Sequence, residues 1–130
     1  MDQVLSFATP RDFRAWLEKH HDLQEGAWLK FYKDGRPAMT LREAQEEAAC
    51  FGWVDSLLKR IDDTCYRLRF TPRRKKSRWA AGTKRTAEEL IASGRMTRWG
   101  LAVIEEARAS GAWDAPDPRP ALEDTKKDSE

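Results

Sequence analysis

Three acidic residues have the types and the spacing that acid–base chemistry needs. Glu43 and Glu47 lie four residues apart, on one face of a predicted helix, and Asp55 begins the next element. Carboxylates that share a cleft shift one another's pKa, so that one of them can act as a general acid or base. The alternative that we favour is structural: the acids pair across a helix–sheet interface with arginines of the following strand and loop, namely Arg69, Arg73 and Arg74.

A strongly basic segment covers residues 59–99. It holds thirteen Lys and Arg against four acids, a local charge of +9 in a chain whose net charge is +2. Guanidinium groups beside aromatic rings suit phosphates, carboxylates and stacked bases. We expect residues of this basic segment and residues around the three acids to line one binding groove. They are Glu47, Trp53, Asp55, Arg69, Arg73, Arg74, Ser77 and Trp79.

The histidines and cysteines do not predict a metal site. His20 and His21 are adjacent on a helix and therefore point about 100° apart. Cys50 and Cys65 have no CxxC partner and no histidine at a ligand spacing, so we interpret both as small core residues. No nucleophile elbow, phosphate loop or dinucleotide motif is found, and no cofactor is expected.

Length and composition predict one globular domain in residues 1–114. The chain has 130 residues, of which 40% are hydrophobic, and a domain of this size can bury its own core. No apolar run reaches the roughly 20 residues of a membrane span, and the start lacks a signal-peptide pattern. We therefore expect a soluble, cytoplasmic protein. Residues 115–130 are predicted to be a disordered, charged tail with several prolines, whereas Trp113 should fold back onto the body.

Four helices are predicted from their start signals. Thr9 precedes a proline, Thr40 and Glu43 form a capping-box pattern, and Thr97 can cap a last helix. The third helix has an analogous pattern at Thr86, although Ser77 or Thr83 could begin it earlier. Phe13, Trp16 and Leu17 recur at helical spacing, so the first helix should turn this face to the core.

The strands are predicted at residues 27–33 and in a hairpin over 53–70. Apolar and arginine residues alternate in the second half of the hairpin, as in a strand with one buried face. The first half is apolar on both sides, which favours a central strand covered by helices on both faces. The expected fold is α+β: a small antiparallel sheet of about three strands with four helices packed on it.

Several motifs resemble those of one bacterial family. The elements FGWVD, FTPRR, SRW and GRMT occur in this order between residues 51 and 97. With the opening Phe7, Phe13, Trp16 and Leu17, the chain resembles the YdeI/OmpD-associated family, also called the bacteriocin-protection or OmdA type. The motif positions that match are Glu43, Glu47, Phe51, Gly52, Trp53, Asp55, Arg69, Phe70, Pro72, Arg73, Arg74, Ser77, Trp79, Gly94, Arg95 and Met96.

The resemblance implies a cytoplasmic bacterial protein linked to tolerance of antimicrobial peptides, and it brings no reaction with it. Three positions depart from the family pattern: Ala80 replaces a usual Ser, Thr83 a frequent Asn, and Arg98 a frequent Pro. A ligand that relatives hold through the Ser and the Asn would therefore be held differently here.

Three functional hypotheses follow. The leading one is a non-catalytic groove that binds a small anionic ligand or a protein partner. The second is sequence-independent nucleic-acid binding through residues 59–99, whose affinity would fall with salt. The third is an enzyme in which Asp55 or Glu47 is the general base and an arginine binds an anionic substrate. The sequence indicates no oligomeric state.

Overall fold

The structure is a computed structural model that describes residues 3–75 and 78–115. It has an α+β fold, with strands and helices alternating in the first half of the chain and two helices following the last strand. The bounds of the elements are β1 Val4–Leu5, α1 Pro10–His20, β2 Ala27–Tyr32, α2 Leu41–Cys50, β3 Trp53–Arg60, β4 Cys65–Pro72, α3 Ala81–Ala92 and α4 Arg98–Ser110.

Three of the predicted helix starts are confirmed by their hydrogen bonds. The Thr9 and Thr97 side chains accept from backbone N–H groups at the starts of α1 and α4. Thr40 and Glu43 form the reciprocal capping box of α2. The third helix begins at Ala81, earlier than the Thr86 signal suggests, so Thr86 lies inside α3 rather than at its cap. No side chain caps α3 in the part of the chain that the structure describes.

Among the described residues the sheet has four strands, in the order β1-β2-β4-β3. The β3–β4 hairpin is confirmed, and β2 pairs antiparallel with β4, in keeping with the expected antiparallel sheet. Strand β1 adds a fourth strand parallel to β2, so the sheet is mixed rather than wholly antiparallel. The expectation that the first hairpin strand lies in the sheet centre is wrong, because β4 takes that place and β3 lies at an edge. Its Leu57 and Leu58 are 48% and 56% exposed, so helices do not cover both faces there.

Two apolar clusters form the core. The larger one joins the inner face of the sheet to α1 and α2, and Phe13, Leu17, Leu29 and Phe70 are completely buried in it. The smaller one joins α3, α4 and the segment before α3: it contains Trp79, Ala87, Ile104, Ala107 and Trp113. Trp113 is 7% exposed, which confirms that it folds back onto the body.

Helix α2 lies between the two clusters, because it contacts β3 as well as the three other helices. This position lets α2 form a wall of the candidate site. Within the two described ranges, no helix is both long and apolar enough to cross a membrane. The predicted tail falls almost wholly on residues 116–130, which lie outside those ranges, as does Ser77.

Candidate functional site

A groove of about 390 Å³ opens between α2, the start of β3, the segment after β4 and the first turns of α3. Its volume lies in the usual range for small-molecule sites, roughly 300–1,000 Å³. Both polar and aromatic side chains line it. Those that carry charge or hydrogen-bonding groups are Arg42, Gln45, Trp53, Asp55, Arg73, Trp79, Thr83, Arg85, Thr86 and Glu89.

The turn from α2 into β3 sets the acidic side of the groove. Gly52 makes this turn with a φ of +77°, and a Cβ there would come within 2.6 Å of Val103 Cγ2. The next residue, Trp53, is buried, and its Nε1–H donates to the His21 carbonyl at 2.9 Å. Asp55 is half-buried, and its Oδ2 accepts a hydrogen bond from Gln45 Nε2 at 3.2 Å. The carboxylate is therefore placed at the groove by α2.

The segment after β4 sets the basic side. The Arg73 backbone N–H donates to the Gly52 carbonyl at 2.9 Å, which ties this segment to the α2–β3 turn. The Arg73 guanidinium carbon lies 4.0 Å from the centre of the Trp79 ring, and Nη1 donates to the Arg78 carbonyl at 3.1 Å. A stacked and hydrogen-bonded guanidinium keeps its charge in a fixed place at the groove wall.

The N-terminal turn of α3 forms another part of the wall, through Ala80, Gly82 and Thr83. The first backbone N–H groups of a helix have no partner within the helix, and its dipole is positive at this end. The first helical bond of α3 runs from the Lys84 N–H to the Ala80 carbonyl, at 2.9 Å. The N–H groups before Lys84 thus lie next to the groove without a helical partner.

The structure brings four of the eight predicted site residues together. Trp53, Asp55, Arg73 and Trp79 line the same groove. Arg74 lies beside it, in a small hollow that it shares with Arg73 and Trp79. Ser77 lies outside the described residues.

Arg69 does not belong to this groove. Its guanidinium lies 5.7 Å from the Trp28 ring and donates to the Glu25 carbonyl. The reason is strand alternation, because Phe70 points into the core and its neighbour must point to the other face of the sheet.

Glu47 lies on the other side of α2, so the cleft shared with Asp55 is not formed. Residues two apart on a helix point about 200° apart, and it is Gln45 that faces Asp55. Glu47 is 6% exposed and accepts hydrogen bonds from Arg14 at 3.0 Å and Arg95 at 2.9 Å. The prediction that Glu47 pairs with arginines of β4 and the following loop is therefore wrong. Its partners Arg14 and Arg95 lie in α1 and in the connection between α3 and α4.

These ion pairs shift the pKa values around Glu47. Burial acts to lower the pKa of the Arg14 and Arg95 guanidinium groups, but hydrogen bonds to the glutamates raise both overall. Burial raises the pKa of the Cys50 thiol, although Arg14 acts in the opposite direction. All three groups thus keep their ordinary charge states at neutral pH, which indicates a structural role.

Sequence reasoning chose the wrong residue of α2, Glu47, and missed the contribution of α3 to the groove. Gln45, Ala48, Ala49 and Gly52 follow one another at i, i+3, i+4 and i+7, the spacing of one helix face. Three of these residues are small, and small residues on one face leave open space beside a helix. Among the described residues, no group of three or more His, Cys, Asp or Glu could hold a metal ion.

The fold and the groove define a small α+β domain with a mixed acidic, basic and aromatic site. Residues 5–103 match the family described as Domain of unknown function (DUF8412), and the chain belongs to that family. Neither a curated protein nor a solved structure gives a significant match to the chain. The family description assigns no activity, so any function must be argued from the groove itself.

Proposed function

We propose that the domain binds a small anionic ligand in the groove between α2 and α3 and does so without catalysing a reaction. The observation that carries the proposal is the convergence of Trp53, Asp55, Arg73 and Trp79, which three separate sequence motifs supply, on one cavity of suitable size.

The basic side of the groove fits the anionic group of the ligand. Arg73 and Arg85 contribute positive charge, and the first turn of α3 contributes backbone N–H groups. Oriented N–H groups and guanidinium forks are the usual partners of phosphates and carboxylates. A third cation, Arg42, is engaged with Glu46 and Thr86 and therefore braces α2 against α3.

The acidic side fits a hydrogen-bond donor on the same ligand. The Asp55 carboxylate accepts one bond from Gln45 and can accept more, because a carboxylate has about four lone-pair sites. Trp53 and Trp79 also line the groove and contribute to its apolar part. The best match is a ligand with an acidic group at one end and a hydroxyl, amide or ammonium group at the other.

Binding is favoured over catalysis because the described residues that line the groove include no activated nucleophile. Neither His, Cys nor Ser is found among the described residues that line it, and Glu47, one of the two candidate bases, is held in ion pairs elsewhere. The resemblance to the YdeI/OmpD-associated family extends the proposal to a cytoplasmic ligand-binding role in envelope or antimicrobial-peptide stress.

A thermal-shift screen of anionic metabolites tests the proposal. The panel contains sugar phosphates, nucleotides, hydroxy acids and amino acids, and it is run on the wild type, Asp55→Asn and Arg73→Ala. A binder at 100 times its Kd stabilises a folded protein by about 2.7 kcal/mol, which gives a clear rise in Tm. We expect this rise in the wild type and its loss in both variants.

Arg98→Ala is the matched control, since Arg98 also lies over a tryptophan, Trp99, but does not line the groove. It should keep the full ligand-induced rise in Tm. A ligand that stabilises Asp55→Asn and Arg73→Ala as strongly as the wild type would contradict the groove assignment. Turnover of the stabilising compound would instead favour the enzyme hypothesis.

A further inference from the structure

The face of the sheet opposite α1 and α2 carries a concentrated positive charge. Side chains alternate along strands, so the residues between the buried ones of β2 and β4 point to this face. On the three long strands, the residues that share it are Trp28, Lys30, Tyr32, Val54, Leu57, Lys59, Cys65, Arg67, Arg69 and Thr71. None of these ten residues is acidic.

Three cations form one row across this face. Arg67 of β4 pairs directly with Lys30 of β2 on one side and with Lys59 of β3 on the other. Neighbouring strands are about 4.8 Å apart, and like charges placed directly opposite each other destabilise a sheet. Within residues 3–75 and 78–115, none of these three side chains forms an ion pair that would offset the repulsion.

Aromatic rings, rather than acids, hold the cations in place: Lys30 lies 5.1 Å from the ring centre of Tyr32, and the other cations lie over Trp28. Arg67 lies 4.3 Å from the Trp28 ring centre, Arg69 5.7 Å and Lys59 5.9 Å. Arg67 is only half-buried, and guanidinium planes stack with nucleic-acid bases as well as with aromatic side chains. The Trp28 Nε1–H is buried and has no hydrogen-bond partner among the described atoms. The ring that carries the cations therefore also keeps an unused hydrogen-bond donor.

We propose that this face, which we call the cationic face and define by Trp28, Lys30, Lys59, Arg67 and Arg69, binds single-stranded nucleic acid. The row of cations contacts successive phosphates, and exposed bases stack on the guanidinium of Arg67. Single strands are favoured over duplexes because their bases are accessible for stacking. Nucleic acid is favoured over anionic lipid or acidic peptide because those partners offer charge but no base to stack.

The cationic face is separate from the ligand-binding groove. Residues 59–99 are divided between the two, since Lys59, Arg67 and Arg69 lie on the cationic face and Arg73 lies at the groove. Strand β2 supplies the other two residues, Trp28 and Lys30, which lie outside the basic segment. The inference therefore does not depend on the proposed function of the groove.

Fluorescence anisotropy with a labelled 20-nucleotide oligo(dT) and the full chain tests the proposal. The variants are Lys30→Gln/Lys59→Gln, which removes two charges, and Arg67→Lys, which keeps the charge but loses the plane. The control Arg11→Gln/Lys19→Gln removes two exposed charges from α1, on the opposite face. Thermal melts confirm that each variant is folded before it is titrated.

The wild type should bind at about 50 mM salt, with an affinity that falls by about 0.7 log units per log unit of salt for each phosphate contact. Lys30→Gln/Lys59→Gln should weaken binding at least tenfold and flatten this slope by about 1 to 1.5. Arg67→Lys should keep the slope and weaken binding by about fivefold or more, because a stacked base is lost. The control should stay within about twofold of the wild type, since exposed charges far from a phosphate contribute little.

Three results would overturn the proposal. The first is a wild type that does not bind oligo(dT) at low salt. The second is an equal loss in the α1 control, which would assign the binding to net charge alone. The third is a duplex that binds as tightly as oligo(dT) or more tightly. If oligo(dT) does not bind but phosphatidylserine vesicles do, the cationic face has a lipid partner instead. The groove variant Arg73→Ala should still bind oligo(dT), so that failure of one proposal is distinguishable from failure of the other.

Discussion

The two sides of helix α2 use charged residues in opposite ways. On one side Glu47 is almost fully buried and is held by two arginines that come from α1 and from the α3–α4 connection. On the other side Asp55 is half-buried, and the only hydrogen bond that its side chain makes among the described residues comes from Gln45. The first arrangement is complete without a ligand, whereas the second keeps unused acceptor sites at an open groove.

This difference separates a structural ion pair from a candidate binding residue. A buried carboxylate must be paired, because desolvating an unpaired charge is very costly, and its partners are then part of the fold. A half-buried carboxylate at a cavity can remain partly solvated and exchange water for a ligand. The polar residues on the groove side should therefore matter little to stability, and its aromatic residues should matter much.

The largest loss of stability is expected when an aromatic residue behind the groove is replaced. Trp79, in the groove wall, lies 4.9 Å from Trp113 in the smaller core cluster. Trp113→Ala should lower the free energy of unfolding by about 2–4 kcal/mol, because it leaves a large cavity in that cluster. Urea denaturation followed by circular dichroism measures this value.

Arg108→Ala is the control for Trp113, since Arg108 lies over the same ring at 4.7 Å but is exposed. Losing an exposed cation–π contact should cost no more than about 1 kcal/mol. If both variants cost the same, the stability of the groove side would depend on its polar contacts, contrary to the comparison.

The buried side of α2 should be next in size. Glu47→Ala leaves Arg14 and Arg95 without their shared partner, and both guanidinium groups are partly shielded from water. We expect a loss of about 2–3 kcal/mol, less than for a fully buried pair because the arginines are 30% and 41% exposed. Urea unfolding checks this value, and Glu47→Gln should lose less because it keeps an acceptor.

The sequence predicts local features of this fold well. Thr9, Thr40 and Thr97 could be assigned because capping depends on residues within one turn of the helix. The convergence of Trp53 and Arg73 also follows from a local feature, the hairpin, whose register pairs Trp53 with Pro72. Four of the eight predicted site residues, Trp53, Asp55, Arg73 and Trp79, therefore lie in the groove as the spacing indicated.

The features that were missed depend on long-range pairing. Strand β1 has only two residues, too few to show alternation, and β3 lies at an edge because β2 pairs with β4. Glu47 pairs with Arg14 and Arg95, which are 33 and 48 residues away from it along the chain. The rotation of α2, which directs Gln45 rather than Glu47 to Asp55, is fixed only when the helix packs.

A smaller effect is expected for the acidic side of the groove. Asp55→Ala and Gln45→Ala each remove one partly exposed hydrogen bond, which is worth about 1 kcal/mol or less. Urea unfolding of both single variants and the double variant gives their coupling energy. A loss for Asp55→Ala as large as that for Glu47→Ala would remove the distinction between the two sides of α2.

The smallest expected effect, at Asp62, tests whether hydrogen bonding without burial lets a carboxylate stabilise the fold. Glu47 and Asp55 do not separate the two factors, because Glu47 is both more buried and more extensively hydrogen-bonded than Asp55. Asp62, in the β3–β4 turn, is exposed but well bonded: Oδ1 accepts from the Thr64 N–H at 2.8 Å, the Thr64 hydroxyl at 2.9 Å and the Cys65 N–H at 3.1 Å. These donors lower the pKa of the Asp62 carboxyl to about 2. Because its pKa is lower in the folded state than in the unfolded chain, the carboxylate stabilises the fold above the unfolded pKa of about 3.9.

That stabilisation must be lost as the pH falls from about 4 through about 2, where the folded carboxyl takes up its proton. Asp62→Ala should therefore have a slightly lower Tm than the wild type at pH 7, and the difference should shrink over this window. Paired thermal melts at pH 7, 4 and 2 measure it, and the subtraction removes the titration of the other acids. If the Tm difference between the wild type and Asp62→Ala stays constant down to pH 2, the turn is held by its backbone conformation. Hydrogen bonding of a carboxylate would then stabilise this domain only where the group is also buried, as at Glu47.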